Sequence, residues 1–172
     1  MPNTAPISKS LCHSAVSLAL AEDLGRAGDI TSLSVIPENA PAKASIVSRE
    51  AGVLAGLDLA IEAFLQNDPT ANFTNAVSDG AHVSPGDTVL TIEAQARGLL
   101  AGERVALNFV SHLSGIASHT AAFVAAISGT NARITCTRKT TPGLRALENM
   151  LCVQAGGIIT ASGWMMLSLS KT

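Results

Sequence analysis

The chain has 172 residues, of which 47% are hydrophobic and 14% charged, and its formal net charge is −2. This composition can bury a core and excludes an intrinsically disordered chain, while the small net charge argues against nucleic acid or an anionic membrane as the main partner. Any affinity for anions must therefore come from a local cluster of cations. The three cysteines are widely spaced, and no leader or long apolar run is found, so we expect reduced thiols in a cytoplasmic protein.

The first part of the chain alternates predicted helices with turns and a strand. Residues 8–24 predict a helix, because apolar side chains recur at every fourth position and Gly25 follows where a C-terminal cap is expected. Residues 22–32 (EDLGRAGDITS) are rich in acidic residues and glycine, and they predict a turn. A strand is predicted over residues 43–47 and a second helix over residues 57–66.

Residues 78–96 carry turn signals at residues 79–80 (Asp-Gly) and 85–87 (Pro-Gly-Asp), which bracket short predicted strands. The predicted inward side chains are Val83, Val89 and Ile92. The pattern resembles the hammerhead hairpins of biotinyl and lipoyl carrier modules, which present a modifiable lysine at a hairpin tip. Since no lysine lies between Lys43 and Lys139, a carrier function is excluded and the resemblance predicts only the local fold.

A long helix is predicted over residues 97–128, with a break at residues 114–115 (Ser-Gly). Arg104 lies near its start, where an arginine is usually a solvated surface residue. His112 and His119 are seven residues apart and can face one side of the helix, but two imidazoles without a third ligand do not make a metal site. We interpret both histidines as ordinary polar positions.

Residues 137–145 (TRKTTPGLR) hold the most distinctive group of charges in the chain. Residues 132–136 before them predict a short strand, and Pro142 suits the first turn of a following helix, where its missing N–H is not needed. Arg138 supplies a planar fork for carboxylate or phosphate, and Lys139 adds a compact point charge. Threonine hydroxyls flank both cations, so this strand-to-helix junction predicts a site for multiply charged anions.

Four segments carry a resemblance to a known family: EDLGRAGDITS, SREAGVLAG, GERVALNFVSHLSGIASHT and TRKTTPGLR, in this order. Together they resemble quinolinate phosphoribosyltransferase, the carboxylating nicotinate-nucleotide pyrophosphorylase. The resemblance implies that quinolinate and phosphoribosyl pyrophosphate react to give nicotinate mononucleotide, carbon dioxide and pyrophosphate in NAD biosynthesis. It also implies that Mg²⁺ assists by neutralising the pyrophosphate.

The resemblance further implies an α/β fold in two parts. Residues 1–112 would form an N-terminal α/β sandwich-like (hammerhead) domain, and residues 113–148 the start of an incomplete α/β barrel. Family members are homodimers in which the N-terminal domain of one subunit covers the barrel mouth of the other. Because barrel enzymes place their active residues at the carboxyl ends of strands, residues 137–139 would lie at the substrate site.

Individual site residues follow from the same motif match. Thr137, Arg138 and Lys139 are expected to bind substrate, and Arg104 is expected to reach across the dimer toward quinolinate. The implied chemistry is electrostatic and positional, so no covalent nucleophile and no protein metal ligand is assigned, and Cys136 is not expected to act as a nucleophile.

Residues 149–172 depart from the family pattern, and we predict that a one-base deletion near the codons of Glu148 and Asn149 produced this non-family tail. Reading the codons one base earlier permits the family continuation, and the fixed codons of residues 164–166 (Trp-Met-Met) then yield two aspartates. We expect the 172-residue chain alone to be inactive. Two alternatives stay open: an inactive fragment that at most dimerises, and a related phosphoribosyltransferase for another base.

Overall fold

A computed structural model describes residues 7–158, and within this range a small α/β domain is joined by one long helix to the beginning of a second α/β unit. None of the helices in this range has the length and hydropathy needed to cross a membrane. The elements are α1 (Lys9–Leu24), α2 (Ile30–Val35), β1 (Pro41–Val47), β2 (Gly52–Val53), α3 (Leu57–Asn67), β3 (Asn72–Thr74), β4 (His82–Val83), β5 (Thr88–Gln95), α4 (Ala96–Ala126) and α5 (Arg145–Gln154).

The strands form two antiparallel sheets. In the larger sheet β5 lies between β1 and β3, and Ile92 of β5 is opposite Ala44 on one side and Phe73 on the other. In the smaller sheet β2 pairs with β4. Val89 and Ile92 are buried, as predicted, whereas Val83 is only half-buried at the edge of the smaller sheet. The predicted hammerhead-like α/β domain is thereby confirmed.

Helices α1, α3 and α4 pack together and enclose the main core. Close contact between α3 and α4 depends on Gly102, where an added Cβ would lie 3.0 Å from the carbonyl oxygen of Ala63 and from Cδ1 of Phe64. Removing apolar side chains from water is the main stabilising contribution of such a core. The largest fully buried side chains are Leu59, Leu90, Ile92, Leu113, Leu147, Leu151, Val16 and Val89.

Helix α1 has the bounds that the sequence predicts. The Ser8 hydroxyl accepts a hydrogen bond from the Leu11 N–H at 3.3 Å, and Gly25 follows the last residue with a positive φ of 54°. The next segment corrects a prediction, because residues 22–32 are not only a turn: α2 begins at Ile30. The carboxylate of Asp29 accepts the N–H of Ser32 at 3.1 Å and so caps the new helix.

Helix α4 runs without interruption through Ser114 and Gly115, so the predicted break is wrong. The Ser114 hydroxyl does not disrupt the helix but docks the segment before α3. It accepts the N–H of Ala55 at 2.9 Å and donates to the Ala55 carbonyl at 3.2 Å. The Ser118 hydroxyl accepts the N–H of Val53 at 2.8 Å in the same way. These short polar side chains satisfy loop backbone groups that burial would otherwise leave unpaired.

After α4 the chain begins a strand–helix–strand unit. The strand predicted over residues 132–136 is reduced to a single parallel bridge between Thr135 and Ile158. In it the Ile158 N–H donates to the Ile134 carbonyl at 2.9 Å, and the Cys136 N–H donates to the Ile158 carbonyl at 3.0 Å. Helix α5 connects the two bridged segments and buries Leu147 and Leu151 in the main core. This is the parallel strand–helix–strand connection from which an α/β barrel starts.

The position predicted for Pro142 is wrong, because α5 begins three residues later, at Arg145. Pro142 instead lies in a turn closed by a 3.0 Å hydrogen bond from Leu144 N–H to the Thr141 carbonyl. Gly143 follows with a φ of 84°, and proline followed by a residue with positive φ is typical of a type II turn. Of the tail predicted from residue 149, the part from 159 to 172 lies outside the described residues.

Candidate active site

The segment between the bridged strand and α5, residues 137–141, forms a loop that we call the basic loop. Its backbone is held by its own side chains and by the next helix. Lys139 N–H donates to the Thr137 hydroxyl at 3.0 Å. The Arg145 guanidinium donates to the Thr140 hydroxyl at 3.3 Å and to the Arg138 carbonyl at 3.4 Å. Arg145 therefore shapes the loop that carries the other two cations.

Arg138 and Lys139 are exposed, although hydrogen bonds hold the backbone of the loop that carries them. Among residues 7–158, neither cation forms an ion pair with an acidic side chain. Two adjacent positive charges without a carboxylate partner repel each other, and a bound anion relieves that repulsion. The loop thus offers a guanidinium fork and an ammonium group to a ligand with several negative charges.

On its other side the basic loop is joined to Glu148 of α5. A Glu148 carboxylate oxygen accepts the N–H of Thr141 at 3.3 Å, and the other lies 3.1 Å from Nε2 of His112 in α4. Burial raises the pKa of Glu148, but the hydrogen bonds from Thr141 and His112 lower it by more, so the net pKa is below the ordinary value. The carboxylate is consequently ionised at neutral pH.

A cavity of about 400 Å³ lies beside the basic loop, between the second half of α4 and the strand–helix–strand unit. Its lining combines apolar residues such as Ile116, Phe123 and Ile134 with polar ones such as His119, Thr137 and Glu148. Such a mixture of apolar and polar groups is typical of small-molecule sites. The lining residues are Ile116, His119, Thr120, Phe123, Arg133, Ile134, Thr135, Cys136, Thr137, Thr140, Glu148, Asn149 and Cys152.

Of the two thiols at this cavity, that of Cys136 is a poor nucleophile, whereas the hydrogen bond with Cys136 lowers the pKa of Cys152. A hydrogen bond with Cys152, followed by burial, raises the pKa of Cys136 far above its ordinary value, so its reactive thiolate is not formed at neutral pH. Cys12, in the other domain, has its pKa raised to about 11 by burial and by the nearby Glu62 and Asp58. The Cys12 and Cys136 thiols are both buried packing groups.

The structure does not bring Arg104 to the basic loop within one chain. Arg104 lies eight residues before His112 on α4, which corresponds to about 12 Å along the helix axis. Its Nε is 3.4 Å from a carboxylate oxygen of Asp23 at the end of α1, and its side chain is 67% exposed. Leu100 and Leu107, one turn on either side of Arg104, are exposed on the same face of α4.

Sequence reasoning assigned the cations of the basic loop but missed the residues that hold it. Arg145 stands inside the motif, yet its role as a hydrogen-bond donor to the loop depends on the turn that precedes α5. His112 and Glu148 are 36 residues apart in the chain and meet only because α5 packs on α4. The sequence signal was limited to a histidine on the helix predicted over residues 97–128 and a glutamate after Pro142, where a further helix was predicted to start.

Comparison with known proteins agrees with this geometry. Residues 29–114 match the N-terminal domain of quinolinate phosphoribosyl transferase, and residues 116–164 match its C-terminal domain. The match therefore continues beyond Glu148 into the segment for which we predict a changed reading frame, and that prediction is untested.

Individual relatives give the same result. The nicotinate-nucleotide pyrophosphorylase [carboxylating] of Mycobacterium leprae is 44% identical over 144 residues, which cover 81% of this chain and 50% of that protein. The solved structure of NadC from Streptococcus pyogenes superimposes with a TM-score of 0.87 at 38% identity, covering 91% of this chain and 55% of that one. The nicotinate-nucleotide pyrophosphorylase of Francisella tularensis gives a TM-score of 0.84 at 31% identity, with 90% and 55% covered.

The fold and the basic loop thus belong to a phosphoribosyltransferase built from two unlike α/β domains. More specifically, the chain is a member of the quinolinate phosphoribosyltransferase family. It contains the N-terminal domain and part of the C-terminal domain, and it spans about half the length of the relatives named above.

Proposed function

We propose that this chain takes part in the phosphoribosyl transfer to quinolinate, with loss of carbon dioxide and pyrophosphate, that forms nicotinate mononucleotide in NAD biosynthesis. The observation that carries the proposal is the basic loop, which presents Arg138 and Lys139 without acidic partners among residues 7–158. Thr137 and Thr140 of the same loop line the cavity of about 400 Å³, whereas Arg138 and Lys139 do not line it. Both substrates are polyanions, one a dicarboxylate and the other a phosphorylated pyrophosphate. The names of the relatives support the same reaction.

The roles of the loop residues follow from their chemistry. Arg138 is suited to a bidentate contact with a phosphate or carboxylate, and Lys139 adds a charge that does not require one fixed geometry. Thr137 shapes the turn by accepting the Lys139 N–H. As pyrophosphate departs, positive charge develops on the ribose and negative charge on the leaving group. Cations already fixed around the leaving group stabilise that separation without a covalent intermediate.

We propose that Mg²⁺ binds together with phosphoribosyl pyrophosphate and is not held by protein side chains of the basic loop. Within residues 7–158, no group of three or more histidine, cysteine, aspartate or glutamate side chains could hold a metal ion. Mg²⁺ binds through oxygen ligands and often through substrate phosphates. The metal would therefore arrive on the pyrophosphate group, and none of the roles given to Arg138, Lys139 and Thr137 depends on it.

Besides the two substrates, we propose that a second copy of the chain is a partner. We also propose that the protein acts in the cytoplasm. Arg104 is exposed and paired with Asp23 of α1, and it is flanked by exposed Leu100 and Leu107. A cation framed by apolar side chains on one helix face suits an interface in which Arg104 contributes to the site of a second subunit. We propose that Arg104 contacts quinolinate there.

The test is the affinity of the chain for quinolinate and for phosphoribosyl pyrophosphate with Mg²⁺, measured by isothermal titration calorimetry. Arg138→Ala is expected to cost about 2–5 kcal/mol of binding free energy, the range for removing one partner of a desolvated charge pair. Lys43→Ala is the matched control, because Lys43 is an exposed cation on β1 of the N-terminal domain and is paired with Glu93 of β5. Equal affinities of wild type and Arg138→Ala would contradict the proposal.

A further inference from the structure

His112 and Glu148 join the two domains of the chain at the basic loop. His112 lies in the segment that matches the N-terminal family domain, and Glu148 lies in the segment that matches the C-terminal one. His112 Nε2 and a Glu148 carboxylate oxygen are 3.1 Å apart, and the Glu148 side chain is only 11% exposed. A contact of this length to a mostly buried carboxylate is a charge-assisted hydrogen bond when the imidazole carries its proton.

The same carboxylate also reaches the basic loop. It accepts the Thr141 N–H at 3.3 and 3.4 Å, and Thr141 is the second residue after Lys139. Pro142 follows and has no N–H, so the Thr141 amide is the last backbone donor before the turn that leads into α5. A continuous polar link therefore runs from α4 through Glu148 to the loop.

Glu148 is also an acidic group close to a site for anions. An unrestrained carboxylate at this place would compete with a substrate anion for Arg138 and Lys139, because unlike charges attract each other and Glu148 contacts the loop that carries both cations. In the structure it is bound to His112 and Thr141 instead, and it forms no ion pair with either cation of the basic loop. Its orientation toward α4 leaves the two cations available.

We propose that His112 is a positioning residue that holds the Glu148 carboxylate away from Arg138 and Lys139, and that this keeps the basic loop open to anions. The inference rests on the proposed function only in assigning Arg138 and Lys139 to anion binding. It predicts that the effects of changing His112 and Glu148 on anion binding are coupled, which a purely structural contact would not produce. Loss of His112 releases a competing carboxylate, and a second change that removes the charge of Glu148 restores binding.

A double-mutant cycle with inorganic pyrophosphate as the probe tests this. Binding is measured by calorimetry for wild type, His112→Ala, Glu148→Gln and the double variant. His112→Ala should weaken pyrophosphate binding about tenfold, the size expected for losing a hydrogen bond to a charged group. Glu148→Gln removes the competing charge and keeps an amide oxygen for Thr141, so His112→Ala should have little further effect in that background. The double variant should recover the affinity that His112→Ala loses.

Unchanged affinity in His112→Ala, or a double variant as weak as His112→Ala, would overturn the proposal. If His112→Ala does not fold, His112→Asn replaces it, because a shorter amide at this exposed position cannot span the distance to α5. Hydrogen exchange at the Thr141 amide tests the link without ligand. It should be about tenfold faster in His112→Ala than in wild type, and equal exchange in the two proteins would also overturn the link.

These readouts separate the two proposals. Absence of pyrophosphate binding in the wild-type chain would refute the proposed function of Arg138 and Lys139. Accelerated Thr141 exchange in His112→Ala would still establish the positioning link between the domains. Pyrophosphate binding that is weakened by Arg138→Ala but indifferent to His112→Ala would support the proposed function and refute the role of His112.

Discussion

The carboxylate of Asp79 caps helix α3 from the opposite side of a loop, because it accepts the backbone N–H of Gly56 at 2.9 Å. Its other oxygen accepts the N–H of Leu57 at 3.1 Å, so one side chain satisfies two donors at the start of the helix. Gly56 has a φ of 88° and carries no capping side chain of its own. Burial raises the pKa of Asp79, although the two N–H groups partly offset this effect.

Replacing Asp79 should therefore destabilise the N-terminal domain. Asp79→Ala leaves two N–H groups at the start of α3 without an acceptor, and we expect it to lower the free energy of unfolding by about 1–3 kcal/mol. Asp58→Ala is the control, because Asp58 is an exposed acid in the first turn of the same helix and should cost less than about 1 kcal/mol. Urea unfolding followed by circular dichroism measures both, and equal losses would contradict the capping role.

Two glycines of α4 should respond to alanine in opposite directions. Gly102→Ala places a methyl group 3.0 Å from the Ala63 carbonyl oxygen, so it should force α3 and α4 apart and cost about 1–3 kcal/mol. Gly115 has no heavy atom within 4 Å of an added Cβ, and Gly115→Ala should raise stability by up to about 1 kcal/mol through helix propensity. Thermal unfolding distinguishes the two, and a loss of stability in Gly115→Ala would show that α4 is not a regular helix there.

The pH dependence of stability should report on Glu148. Its pKa is lower in the folded chain than the ordinary value of 4.5, so its contribution is present above pH 4.5 and is lost as the pH falls through the folded pKa. We expect wild type to exceed Glu148→Gln by about 1 kcal/mol near pH 6. The difference should vanish in stronger acid. Urea titrations from about pH 6 to about pH 3 measure it, and a constant difference would contradict the assignment.

The predicted change of reading frame is tested by resequencing the DNA around the codons of Glu148 and Asn149. We expect one additional adenine, or downstream DNA that encodes the rest of the barrel in another frame. Residues 164–166 (Trp-Met-Met) each have only one possible codon. In the shifted frame these bases can encode only two aspartates, which makes the predicted frame change specific. Downstream DNA without a barrel in any frame would refute the prediction.

Local patterns in the sequence were enough to predict most of the N-terminal domain. The helix after Ser8 and the helix after Gly56 have apolar residues at regular helical spacing, and their predicted and observed bounds differ by one residue at most. The buried positions Val89 and Ile92 also follow from the predicted strand between two turns. In these elements local propensity and tertiary packing favour the same structure.

Errors arose where a polar residue acts on a distant part of the chain. Ser114 was taken as a helix break, whereas its hydroxyl is bonded to Ala55, 59 residues earlier. His112 was interpreted as an ordinary polar position, but its contact with Glu148 depends on how α5 packs on α4. Arg138 and Lys139 were predicted to bind anions because their charge and their neighbours in the chain are distinctive, and that role remains a prediction. The spacing of apolar residues within one helix does not reveal which distant residue a polar side chain of that helix will contact.

Helix α4 also has a consequence for how this family can be divided. The two family domains adjoin near residue 115, in the interior of a single helix of 31 residues that extends about 46 Å. A cut at that boundary would leave each half with a severed helix end and with unpaired backbone groups. Recombination between relatives should therefore be tolerated at the turn after Ala126, and not at the boundary between the two family domains inside α4. The boundary between the two family domains therefore does not coincide with the end of a secondary-structure element, because it lies inside α4.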